Sequence, residues 1–193
     1  MKLFAANTGR STMSQDQALK HNAVAPFTSV SEFVVDKPPL AELLAVLAEC
    51  GELVSCFFKP DPSIKAVGER LRLVEFLQRF SDLARLTAIG QVEPEFGPFS
   101  VLNRYELEGS LVAVALRGGC HGGARGLSLS KARALVFEAL DAVFPAPFSE
   151  LVVYRLDSLD WCELSKGSTI SAAYVVCQGA RNLWWVLCVV DFD

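Results

Sequence analysis

The chain has 193 residues, 51% of them hydrophobic and 21% charged, with a formal net charge of −4. That apolar content sustains a sizeable core and excludes general disorder, and an acidic chain lacks the basic face from which a nucleic-acid binder draws affinity. No apolar run approaches the ~18 residues that span a bilayer; the longest, Leu183 to Val190, has the length of a strand.

Six cysteines (Cys50, Cys56, Cys120, Cys162, Cys177 and Cys188) occur without a CxxC pair, and the only histidines are His21 and His121. Neither a disulfide framework nor a structural zinc site fits that spacing. Cysteine within runs such as Ser55-Cys56-Phe57-Phe58 reads as a small buried hydrophobe. The expectation is a reducing, cytoplasmic setting with no metal and no cofactor.

Residues 1–26 are rich in Ser, Thr, Gln and Asn and lack apolar periodicity. They read as a flexible tail; Leu3 to Ala6 is too short for a secretory core. Phe27 to Val35 reads as a strand. Pro38 and Pro39 open a helix whose stripe is Leu40, Leu43, Leu44 and Leu47, closed by Gly51. Leu53 to Phe58 is a short apolar strand. Asp61-Pro62 starts the longest expected helix, running to about Gly90, and Gln91 to Pro98 is a loop.

Ser100 to Leu107 and Leu111 to Leu116 flank Glu108-Gly109-Ser110, the pattern of a hairpin. A glycine-rich segment from Gly118 to Gly126 leads to Ser128 and Ser130, either of which can cap a helix running to about Phe144. Leu151 to Leu156, Ile170 to Gln178 and Leu183 to Phe192 read as strands, with a polar loop from Asp157 to Ser168. The run Leu183 to Val190 does not alternate, so its strand belongs at the centre of a sheet covered on both faces. The expected fold is α+β: one domain over residues 27–193, a single mixed sheet of about seven strands flanked by about three helices.

Two segments carry candidate chemistry. Residues 117–133 hold five glycines and four cations with no acid between Glu108 and Glu138. A glycine loop entering a helix N-terminus can cradle a phosphate or carboxylate, with Arg117, His121, Arg125, Ser128 and Ser130 as its ligand-binding residues. The spacing matches neither a P-loop nor a dinucleotide fingerprint, and a mobile, solvated connection is the preferred reading over a ligand site. Cys120-His121 is the only nucleophile–base pairing available, yet adjacent residues in an extended chain point apart. Asp157, Asp160 and Glu163 surround Trp161 on one loop, the composition of a partner-binding hot spot; the ring folding back into the core is the other reading.

No catalytic residue set emerges. The leading expectation is a non-catalytic protein-binding domain that masks another protein's site, of immunity or antitoxin type, with no nucleic-acid or membrane partner. The alternative is an enzyme or sensor holding an anionic small molecule at loop 117–133.

Overall fold

A computed structural model describes residues 29–61, 77, 87–93, 98–118, 122–148 and 151–192. The tail expected over 1–26 lies outside these residues. So does nearly all of the helix expected over 61–90, of which Leu77 is helical and buried, and Thr87–Ile89 forms a 3-10 turn.

The elements in chain order are β1 (Ser29–Phe33), α1 (Pro38–Ala48), β2 (Glu52–Asp61), β3 (Phe99–Leu102), α2 (Arg104–Arg117), α3 (Leu129–Val143), β4 (Leu151–Leu156), β5 (Ile170–Gln178) and β6 (Leu183–Asp191). The strands form one sheet in the order β1-β2-β6-β5-β4-β3. The class is α+β, as expected. The sheet, however, is antiparallel at every pairing rather than mixed, and among the described residues it has six strands rather than seven. Helical connections usually return a strand parallel to the one before. Here β1 and β2 are joined through α1, and β3 and β4 through α2 and α3, yet both pairs are antiparallel neighbours. In each case the chain re-enters the sheet from the end at which it left.

The missing strand is α2. Residues 104–117 form a helix where a hairpin was expected, because the local capping chemistry and the packing of an apolar helical face together outweigh the β-branched and aromatic content. Asn103 Oδ1 accepts the backbone N–H groups of Tyr105 and Glu106, and Glu106 Oε2 accepts the N–H of Asn103 at 2.7 Å. This reciprocal box satisfies donors that the first helical turn leaves open. Leu107, Leu111 and Ala115 then fall on one buried face at helical spacing.

Successive sheet residues alternate between two cores. Phe57, Val153, Tyr174, Trp185 and Leu187 face the layer formed by α1, α2 and α3. Phe58, Tyr154, Cys177, Trp184 and Cys188 face the opposite way, where Leu77, Ile89, Val92, Trp161 and Cys162 cover them. Both tryptophans of β6 are fully buried, so the strand is central and covered on each side, as its unbroken apolar run implies.

Candidate protein-docking face

The outer surface of the helix layer carries two exposed aromatic side chains, one on α2 and one on α3. The chain reverses between α2 and α3, so the two run antiparallel; Ala124 N–H donates to Ala115 O at 2.9 Å as the turn folds back on α2. The roll of α2 is set by a hydroxyl contact of 2.7 Å between Ser110 and Tyr174 of β5. At its start, Arg104 is buried, pairs with Glu108 one turn on and lies over the Phe148 ring at 5.2 Å. Burial lowers its pKa, and the carboxylate of Glu108 works against that shift. Phe148 in turn meets Tyr105 edge-on at 6.4 Å. With Arg104 turned inward, Tyr105 is turned outward.

Tyr105 is 70% exposed and Phe137, across from it on α3, is 54% exposed. Between them runs a groove of about 600 Å³ floored by Gly109, Val112 and Ala134 and rimmed by Glu108, Glu138 and Arg133. A second groove of about 480 Å³ lies on the other side of α3, against α1. Sequence reading missed Tyr105, Gly109 and Phe137 because it placed the first two on a hairpin. The spacing Asn103-x-x-Glu106 was the signal for the helix.

The residues expected to bind an anion are only partly gathered. Arg117 is exposed in the last turn of α2, and His121 lies outside the described residues. Arg125 borders the second groove, and its backbone N–H donates to Glu49 Oε2 at 3.2 Å. Ser128 caps α3 by accepting the Lys131 N–H at 3.3 Å and meets Ser130 Oγ at 3.2 Å. The cap therefore occupies one of the donors an anion would use. The glycines have a packing role instead. Gly118 has φ +58, a Cβ there would meet Gly122 O at 1.8 Å, and one at Gly123 would meet Leu116 O at 2.2 Å. Only glycine lets the turn close this tightly. Beside Arg125 and Lys131, the second groove is also lined by Glu42, Glu49 and Glu138, and three carboxylates oppose an anionic ligand.

The partner-binding set of Asp157, Asp160, Trp161 and Glu163 does not form one surface around an exposed ring. Trp161 is fully buried in the core opposite the helices. Its carbonyl accepts Glu93 N–H at 3.0 Å, and Val92 bridges to Cys162 beside it. The hydrophobic gain of covering an indole outweighs leaving it on the loop. Of the acids, Asp157 accepts from Ser100 Oγ at 2.6 Å and Arg155 Nε at 2.7 Å, Glu163 accepts from Gln91 N–H at 3.3 Å, and Asp160 is exposed.

Cys50, Cys56, Cys162, Cys177 and Cys188 are buried thiols that form no disulfide with one another. Burial pushes the Cys177 thiol up to about 12 and raises Cys50, Cys162 and Cys188 as well. Thiols held protonated in this way are poor nucleophiles. Among the described residues, no three His, Cys, Asp or Glu side chains are grouped to hold a metal, and no helix is long and apolar enough to cross a membrane. Neither a protein-family model nor a curated protein matches the chain.

Proposed function

We propose that this chain is a non-catalytic protein-binding domain that docks through the outer face of α2 and α3 and covers a site on another protein, in the manner of an immunity protein or antitoxin. The observation that carries the reading is the exposure of Tyr105 and Phe137 on either side of a shallow apolar groove. Aromatic side chains are the usual anchors of protein interfaces. Covering both removes on the order of 250 Å² from water, a gross gain of ~6 kcal/mol. Association itself costs ~4–15 kcal/mol, so the two rings anchor a wider contact rather than make one alone. Rigid helices favour that use, because little ordering remains to be done on binding. Among the described residues, the buried, protonated thiols and the mixed charge of the second groove support binding over chemistry.

The test compares wild-type protein with a Tyr105→Asp/Phe137→Asp double variant as bait in extracts of the native cells. Circular dichroism first establishes that both are folded. The expected result is a partner retained in stoichiometric amount by the wild type and lost with the variant, whose activity falls when the wild-type chain is added. Equal retention by both baits, or no partner at all, overturns the reading.

A further inference from the structure

Arg104 opens α2 on the same inward face as Leu107 and Leu111 and is only 2% exposed. Its Nη1 donates to Glu108 Oε1 at 2.5 Å, and its guanidinium lies over the Phe148 ring. Among the described residues, neither Nε nor Nη2 has an acceptor. These two atoms share one edge of the planar group, so their N–H bonds run side by side and aim at the same point. A buried N–H without an acceptor works against folding. Here two of them, both on a cation, face one way.

That edge is matched to one kind of ligand. A carboxylate holds two oxygens in a plane at the spacing of two parallel N–H groups, and arginine pairs with both at once. Phosphate brings a second negative charge and a tetrahedral set of oxygens to a place with two donors, and the nearby Glu108 and Asp141 carboxylates oppose that extra charge. One further negative charge suits the group. Burial lowers the pKa of Arg104 in spite of both acids, so the cation is under-neutralised where it stands.

We propose that the Nε–Nη2 edge of Arg104 is a binding site for one carboxylate, presented by an aspartate or glutamate of the protein that docks on α2 and α3. Phe148 is half-buried, and Tyr105, which meets it edge-on, is among the most exposed side chains of the docking face. These rings turn aside as the acid enters, a movement of surface rotamers that takes picoseconds to nanoseconds. The docked surface then closes the ion pair off from water. This rests on the reading of that face as a docking surface and names the chemistry of its partner at one point. Tyrosine and arginine are both enriched among the residues that dominate interface energetics, and a charge pair shielded from water discriminates between partners.

Sodium acetate is the probe, added to the isotope-labelled full chain and followed at the Nε–H resonance of Arg104, assigned through its bonds to the backbone. The signal is expected to shift and to saturate in the millimolar range, while sodium chloride at equal concentration and neutral acetamide leave it in place. A signal that ignores acetate up to roughly 100 mM overturns the inference. So does an equal response to acetamide or to inorganic phosphate. In complex with the partner captured by the wild type, the same resonance is expected to move in the direction that acetate moves it. Arg104→Lys keeps the charge and loses the fork, and the dissociation constant for that partner is expected to rise roughly tenfold or more. A partner lost with Tyr105→Asp/Phe137→Asp but held equally by the wild type and Arg104→Lys defeats this inference and leaves the proposed function standing. Acetate binding at Arg104 with no partner retained by any bait defeats the proposed function and leaves the carboxylate site, whose ligand is then a free small molecule.

Discussion

Phe57 and Trp185 face each other across the β2–β6 pairing with ring planes 3° apart and centroids 5.3 Å apart. The indole N–H of Trp185 donates to Ser55 Oγ at 2.9 Å, so its one polar atom is satisfied while the ring is wholly buried beneath the helix layer. This stack lies at the junction between the central strand and the outer pair β1–β2. Truncating Trp185 to Ala should cost ~3–5 kcal/mol, the range for a large buried aromatic. Ser55→Ala should cost about 1 kcal/mol by orphaning the indole donor. Urea unfolding measures both; a Trp185→Ala midpoint equal to that of the wild type would place the strand at an exposed edge.

Trp161 belongs to the opposite core, and its loop is structural. Trp161→Ala is expected to destabilise by ~3–5 kcal/mol, whereas the exposed neighbour Asp160→Ala should stay within about 0.5 kcal/mol of the wild type. Should Trp161→Ala leave thermal stability intact yet abolish partner binding, the ring is an interface residue and its buried position is wrong.

Gly109 gives a prediction of opposite sign. With open space where a Cβ would go, Gly109→Ala should stabilise the fold by ~0.5–1 kcal/mol through helix propensity. Thermal unfolding reads this directly. A lowered transition would mean that α2 is crowded at Gly109.

Alkaline pH should weaken the fold. Burial raises the pKa of Cys177 from an ordinary 9.0 to about 12 and raises those of Cys162, Cys188 and Tyr174 too. In the unfolded chain these groups lose protons at their ordinary values, while in the folded chain they hold them. Their stabilising effect is thus complete below about pH 9 and drains away as pH climbs toward the folded values, at ~1.4 kcal/mol per pH unit for each ionising group. Urea midpoints should be level from roughly pH 7 to 8.5 and fall steadily between roughly 9 and 11. A midpoint that holds constant to pH 11 contradicts the burial of the thiols.

The amino-acid sequence by itself determined the elements whose signals are local. Pro38 and the leucine stripe define α1, Ser128 caps α3, and the strands at Leu151–Leu156, Ile170–Gln178 and Leu183–Asp191 match their apolar runs almost residue for residue. The centrality of β6 was also legible, because a strand without alternation must be covered on both faces. Only the tertiary structure decided the rest. Residues 104–117 carried two competing local signals, a hairpin pattern and the Asn103–Glu106 box, and packing of the apolar helical face against the sheet decided between them. Trp161 had no periodicity to place it; its ring was drawn inward by Val92 and Ile89, some seventy residues away in sequence. The docking face is the clearest case. Tyr105 and Phe137 are unremarkable in the sequence and become neighbours only when α2 and α3 fold back antiparallel. Local signals set the elements because caps, turns and periodicity act over a few residues, whereas a surface shared by two helices exists only once the chain has packed them side by side.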